Sequence, residues 1–213
     1  MNTHYTTLVK TLATLALFAT VALTGRAVIG ITGTPHDLTT NAWAITDQKC
    51  IFCHTPHNAK TTQLIPLWNH GATTTTFTLY QNTGTLNATM GQPAGTSKAC
   101  LSCHDGTVAL DSYGTSAGTA ITKLAAGDIH NLGTSLADDH PISFLYDVAL
   151  VTADKGGLIS PVSASFVDGA SKIPLFAGMM ECASCHNVHD NTNGSFLRVS
   201  NTGSALCLKC HIK

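Results

Sequence analysis

The eight cysteines of this 213-residue chain form four pairs with one spacing, and a histidine follows each pair directly. The four motifs are Cys50-Ile-Phe-Cys53-His54, Cys100-Leu-Ser-Cys103-His104, Cys182-Ala-Ser-Cys185-His186 and Cys207-Leu-Lys-Cys210-His211. Two thiols at this spacing on one helical turn can add to the two vinyl groups of a porphyrin, and the next residue then offers its imidazole to the iron. Four such motifs with no cysteine left over predict four covalently attached haem c groups.

Three other kinds of cysteine chemistry explain less of this pattern. Zinc ribbons also contain Cys-x-x-Cys pairs, but they do not require a histidine after each pair. A disulfide framework suits an even number of cysteines in a secreted chain, but it gives the repeated histidine no role. A thioredoxin-like redox site needs one pair rather than four.

The remaining histidines are candidates for the sixth ligand of each iron. With His54, His104, His186 and His211 as proximal ligands, six histidines after residue 27 compete for four positions. In order of rank they are His140, His189, His57, His36, His70 and His130. Methionine ligation is disfavoured, because only three methionines follow residue 27. Two histidines on every iron would leave no open site for substrate, so we expect an electron-transfer protein and not an enzyme.

His57 and His189 each lie three residues after a proximal histidine. Residues at this spacing in one turn lie on the same side of the backbone, whereas two axial ligands approach one iron from opposite faces. We therefore expect His57 and His189 each to ligate a haem other than the one attached at its own motif. Haems linked in this way must be close neighbours.

Residues 1–27 are predicted to be a secretory signal peptide, and residues 28–213 a single domain. The apolar run at 11–23 is shorter than the roughly 20 residues of a transmembrane helix, although an uncleaved anchor is the alternative. The leader contains Lys10 and Arg26 but no acid, so its removal changes the formal net charge from −1 to −3. No basic patch indicates nucleic acid. We expect a secreted protein at the cell surface or outside the cell, with the periplasm as the alternative, and no transmembrane segment after cleavage.

The composition predicts an unusual fold, since only 11% of residues are charged and 6% are aromatic. We expect a multihaem cytochrome c fold that is mostly irregular, with short helices only at the haem motifs, a few short strands and a core packed by haem. Ser97 and Ser204 are expected to cap helices at the second and fourth motifs. Weak strand candidates are 73–80, 142–151 and 158–167, and 106–133 is expected to be a surface loop. The first and third motifs, in CIFCHTPHNA and CASCHNVHDN, form a weak internal repeat.

Several further segments resemble one family of cytochromes. They are Gly33-Thr-Pro-His36-Asp-Leu, CIFCHTPHNA, Pro66-Leu-Trp-Asn-His70, Gly91-Gln-Pro-Ala-Gly, CLSCHDGTVAL, Leu132-Gly-Thr-Ser-Leu, Asp139-His140-Pro-Ile-Ser-Phe and Gly203-Ser-Ala-Leu-Cys-Leu-Lys-Cys-His. In this order they resemble the extracellular tetrahaem cytochromes of the OmcE type, which polymerise into conductive filaments. Val188 departs from the pattern, which usually has proline there.

The resemblance implies two histidines on every iron, little regular secondary structure and a chain of haems that continues through stacked subunits. It also implies that one subunit donates an axial histidine to a haem of the next, with His57 as the candidate. The expected partners are copies of the same chain, redox-partner cytochromes and extracellular electron acceptors. Two alternatives stay open: a monomeric periplasmic tetrahaem carrier and, with less support, a multihaem reductase.

Overall fold

The computed structural model describes residues 30–59, 65–82, 84–170 and 172–213. Ile31–Lys213 forms one compact unit. The predicted signal peptide, residues 1–27, lies outside the described residues. Within the described ranges, no helix is long and apolar enough to cross a membrane.

Regular secondary structure is sparse and occurs in short pieces. The helices are α1 (Gly95–His104), α2 (Val148–Ala153) and α3 (Cys182–Cys185), and the strands are β1 (Thr78–Leu79), β2 (Ser135–Leu136), β3 (Phe144–Leu145) and β4 (Met179–Met180). Single 3-10 turns occur at Leu38–Thr40, Ala120–Thr122, Thr202–Ser204 and Cys207–Lys209. Strand β1 pairs in parallel with β2, and β3 pairs antiparallel with β4. The prediction of a mostly irregular fold with few short helices and strands is confirmed.

The strand candidates are largely wrong in extent. Only Thr78–Leu79 of segment 73–80 is a strand, and segment 158–167 makes only isolated bridges. Segment 142–151 contains β3 but then turns into α2, because the Asp147 carboxylate accepts a hydrogen bond from the Leu150 N–H at 2.8 Å and so starts a helix. Helix α2 lies outside all four motifs, so the expectation of helices only at the motifs is also wrong.

The two expected serine caps are wrong as well. Helix α1 begins at Gly95, so Ser97 lies inside its first turn, where it is fully buried. The N–H of Ser97 donates instead to the carboxylate of Glu181, a residue from a distant segment, which makes a cap at Ser97 unnecessary. Ser204 ends a 3-10 turn with a φ of 63°, a backbone conformation unlike that of an N-cap residue.

The apolar core consists of two small clusters. The larger surrounds β3 and β4 and contains Phe144, Tyr146, Leu150, Val167, Ile173, Leu175 and Met180. The smaller joins Phe77, Leu101 and Leu136. Among the described residues, twelve polar or charged side chains are buried beside fifteen hydrophobic ones. Side-chain hydrogen bonds therefore hold much of the interior together.

The segment 106–133 is not only a surface loop. Ala109, Ser112 and Thr122 within it are buried. The Asp111 carboxylate accepts hydrogen bonds from the Thr122 hydroxyl and from the Thr119 N–H, which lies 2.9 Å away. These bonds fold the segment back on itself and so bury part of it.

Candidate functional site

Each motif places its histidine one helical turn after its first cysteine. The N–H of His54 donates to the carbonyl of Cys50 at 2.8 Å, and His186 donates to Cys182 at 3.0 Å. His211 makes the same bond to its own motif's first cysteine, Cys207, at 2.9 Å. The second motif lies inside α1, whose regular helix gives the same arrangement. In all four motifs, two thiols and one imidazole therefore project from a single turn.

Residues 66–69 pack against the first motif and contact it through their backbone. His54 and Trp68 form an antiparallel bridge, and the N–H of Asn69 donates to the carbonyl of Cys53 at 2.8 Å. The Nδ1 atom of His54 lies 3.2 Å from the carbonyl oxygen of Pro66. The segment therefore fixes both the backbone and the ring of the histidine.

The third motif has the same construction. His186 bridges to Leu197, the N–H of Arg198 donates to the carbonyl of Cys185 at 2.8 Å, and His186 Nδ1 lies 2.9 Å from the carbonyl oxygen of Ser195. The repeat between the first and third motifs thus extends to segments that share no sequence pattern. It is a structural repeat, and it is longer than the sequence indicates.

The other two motifs are held by related contacts. His211 bridges to Leu158, and the N–H of Ile159 donates to the carbonyl of Cys210 at 2.7 Å. His104 receives a hydrogen bond from the Leu132 N–H at 2.7 Å. The Nδ1 atom of His104 lies 2.7 Å from a carbonyl oxygen, that of His130.

The carbonyl contacts determine which nitrogen of each ring is available to bind a metal. Because a carbonyl oxygen only accepts hydrogen bonds, the Nδ1 atoms of His54, His104 and His186 must be the donors. Their Nε2 atoms then keep a lone pair, which is the form that binds a metal. The same contact is made by His140, to the Pro141 carbonyl at 2.9 Å, and by His70, to its neighbour Gly71 at 2.8 Å.

Three of the four histidines that are predicted to be proximal ligands lie close to a second imidazole. The ring centres are 6.3 Å apart for His54 and His189, 6.0 Å for His104 and His36, and 6.3 Å for His211 and His140. A bond between a metal and an imidazole nitrogen is about 2 Å long, and a nitrogen lies about 1.2 Å from its ring centre. Two imidazoles on opposite sides of one metal therefore have centres about 6.4 Å apart. The ring spacing of each pair therefore matches that of two imidazoles on one metal atom.

The surroundings of His36 favour the uncharged form of its imidazole. Burial, followed by the effect of the neighbouring His104, lowers the pKa of His36 to about 4. Its ring packs 4.6 Å from that of Phe196, and its buried Nδ1 has no hydrogen-bond partner in the described part of the chain. At neutral pH the imidazole is uncharged and able to bind a metal. Burial, followed by the effect of His140, also lowers the pKa of His211.

The remaining histidines lie in different surroundings. His186 and His57 are both exposed, and neither belongs to a ring pair in the described part of the chain. His70 is buried, with Nε2 3.7 Å from the sulfur of Cys103. His130, which we rank last, pairs its Nδ1 with the Asp128 carboxylate at 2.9 Å. The structure thus brings the rings of His36, His140 and His189 close to those of His104, His211 and His54. In the described part of the chain, the rings of His57 and His130 form no such pair.

The thiols fit covalent attachment to a porphyrin. All eight are free. Burial raises the pKa of Cys53 to about 11 and the pKa values of Cys103 and Cys210 to about 12, so these thiols are protonated at neutral pH. The thiols of Cys100 and Cys182 hydrogen-bond to each other, which raises the pKa of Cys100 and lowers that of Cys182. The second and third motifs are therefore close neighbours.

Residues 174–213 match the family model of the doubled CXXCH motif. The chain contains a doubled haem c motif. The match covers the third and fourth motifs and indicates covalently bound haem c, with electron transfer as the general activity, as in a multihaem c-type cytochrome. No match to a curated protein was found for the whole sequence.

Sequence analysis missed the residues that orient the ligands. The carbonyl groups that accept from histidine Nδ1 belong to Pro66, His130 and Ser195, which share no side-chain chemistry. Backbone acceptors leave no signal in a sequence. Glu181 was also missed, although it is the only glutamate in the chain and directly precedes a motif.

Proposed function

We propose that this chain transfers electrons through four closely spaced haem c groups, each with two histidine ligands. We further propose that it does so as the subunit of an extracellular filament. The observation that carries the first proposal is the set of three imidazole pairs at the spacing of two axial ligands. When bound, haem c supplies an iron that takes up and releases one electron.

The residues of the chain have distinct roles in this proposal. Each cysteine pair attaches one porphyrin, and the histidine that follows supplies the proximal ligand. His189, His36 and His140 supply the opposite ligands at the first, second and fourth motifs. An iron with two protein ligands has no free position for a substrate, so the fold favours electron transfer over catalysis at the metal.

The positions of the ligands support close spacing of the four groups. His189 lies three residues after His186, the proximal ligand of the third motif, yet its ring faces His54 of the first motif. One short turn therefore holds one group and supplies a ligand to another. The interaction between the Cys100 and Cys182 side chains shows that the second and third motifs also lie next to each other.

The filament proposal begins with the third motif. His186 is exposed, and its predicted proximal role requires a ligand on the opposite side. His57 is also exposed and occupies, in the first motif, the position that His189 occupies in the third. Because the two motifs share one local structure, His57 should reach out of its motif as His189 does. We assign it to the iron held by His186 of a neighbouring copy.

This assignment generates an open polymer. A ligand given by one copy to a different surface of the next is a head-to-tail contact, which continues indefinitely unless it closes into a ring. Large apolar side chains on the surface favour such packing: Ile45, Ile121 and Ile129 are 91%, 93% and 88% exposed. The formal net charge is only −1, whereas a diffusing electron carrier more often docks through a strongly charged face.

Two measurements on the secreted protein test the proposal. The mass of the denatured chain should show four covalently bound haems, and the reduced protein should bind almost no carbon monoxide, because every iron has two histidines. Fewer than four haems would contradict the count. Substantial carbon monoxide binding by assembled protein would indicate an open iron and favour a reductase.

A further inference from the structure

Glu181 is the only glutamate of the sequence and directly precedes the third motif. Its side chain belongs to the interior, since the residue is 3% exposed. A carboxylate is costly to bury unless hydrogen bonds compensate for the lost water. The hydrogen bonds of Glu181 should therefore indicate the role of this buried carboxylate.

The carboxylate joins two haem-motif helices. One of its oxygens accepts from the Ser97 N–H in the first turn of α1 at 3.1 Å and from the Ser143 hydroxyl at 3.0 Å. Glu181 is also the N-cap residue of α3, where its backbone N–H donates to the Ser184 hydroxyl at 3.0 Å. A single residue thus caps the helix of the second motif with its carboxylate and begins the helix of the third.

A second bond fixes the two motifs relative to each other. The N–H of Cys182 donates to the Ser97 hydroxyl at 2.9 Å, and Ser97 is fully buried. The side chains of Cys100 and Cys182, one attachment residue from each motif, interact beside this network. The carboxylate is therefore held next to both attachment points.

We propose that Glu181 is a positioning residue that also lowers the reduction potentials of the two haems attached at the second and third motifs. The inference rests on the proposed function, because it requires haem at both motifs. An oxidised haem has one more positive charge than a reduced haem, and a nearby anion stabilises the oxidised form. Burial strengthens this effect, since the protein interior screens charge less than water does.

Burial and hydrogen bonding have opposite effects on the charge of this carboxylate. Burial is the larger effect and raises the pKa of Glu181, and the hydrogen bonds from Ser97 and Ser143 limit that rise. Bonds donated to a carboxylate favour its ionised form. The potentials are therefore measured at pH 8, well above the usual pKa of a glutamate, about 4.3.

The test is an optical redox titration of the four-haem protein at pH 8, with dithionite as reductant and ferricyanide as oxidant. Glu181→Gln keeps the size of the side chain and removes the charge. Two of the four potentials should rise by at least the equivalent of a threefold change in the equilibrium constant, about 28 mV at 59 mV per tenfold. Asp47→Asn makes the same charge change at an exposed position and should leave all four potentials unchanged.

Ser143→Ala provides a second test if Glu181→Gln is not obtained with four haems. This variant removes one hydrogen bond but keeps the charge, so its potentials should stay at or below those of the unmodified protein. Glu181→Asp, which retains a carboxylate, should also keep low potentials. A rise in Ser143→Ala, or unchanged potentials in a four-haem Glu181→Gln protein, overturns the inference. An unmodified protein with no haem at the second or third motif would instead overturn the proposed function.

Discussion

The ring of His189 lies 6.3 Å from the ring of His54, with an angle of 23° between their planes. The two residues come from different motifs at opposite ends of the chain. A histidine that follows one motif thus faces the proximal histidine of another. This relationship brings the first and third motifs next to each other.

Replacing His189 with alanine tests this relationship. The first iron should lose its sixth ligand while all four haems remain attached, because the cysteines are unchanged. The reduced variant should therefore bind one carbon monoxide per chain, as measured by the change in its absorption spectrum. His130→Ala is the matched control, since its ring pairs with Asp128 and not with a proximal histidine. Equal binding by the two variants would contradict the assignment of His189.

His57→Ala tests the contact between copies. The variant should retain four haems but form no filaments in negative-stain micrographs of the secreted fraction, because each junction loses its ligand. His70 is the other candidate for the ligand between copies, and His70→Ala is therefore the comparison. The ring of His70 is buried within one copy beside Cys103. Filaments should persist in that variant. Filaments in His57→Ala and none in His70→Ala would assign the ligand to His70.

Ser97→Ala tests the network between α1 and α3. The substitution leaves the partly buried N–H of Cys182 without its acceptor, which should reduce the free energy of unfolding by about 1 kcal/mol. Denaturant unfolding of the haem-containing protein measures this change. Ser135→Ala, at an exposed position in β2, should change stability by less than about 0.5 kcal/mol. A loss no larger than that of the control would show that the bond is not stabilising.

Asp111 gives a prediction for the dependence of stability on pH. Burial raises its pKa, but hydrogen bonds from Thr122 and Thr119 outweigh burial and lower the pKa below its usual value. A lowered pKa in the folded state stabilises the protein above the pKa of the unfolded chain, about 4, and that contribution disappears as the pH falls below it. Asp111→Asn should therefore be less stable than the unmodified protein at pH 7. The difference in thermal midpoint should shrink between pH 5 and pH 2, and a difference independent of pH would contradict this account.

The motifs were predictable because their chemistry is local. Cys100, Cys103 and His104 lie within one turn, so their spacing alone specifies a porphyrin attachment point. The distal ligands were harder to predict, since the partner of His54 is brought from the far end of the chain. The spacing of His189 from His186 did indicate that it belongs to another motif. It did not indicate which one.

The supporting structure was less predictable, for physical reasons. The segments behind the first and third motifs act through backbone groups, so Trp68 and Leu197 occupy equivalent positions without resembling each other. Ser97 has the residue type of a helix cap, but a distant carboxylate caps the helix and the serine hydroxyl bonds to another motif. Contacts between distant segments override local preference at these positions.

The proposed function is tested most directly by electron cryomicroscopy of the secreted filaments at a resolution that shows the haems. Four haems per subunit should form a continuous chain, with His189 and His54 on one iron. His57 of one copy should lie on the iron held by His186 of the next copy. Isolated monomers, or a filament in which no histidine crosses between subunits, would contradict the proposal.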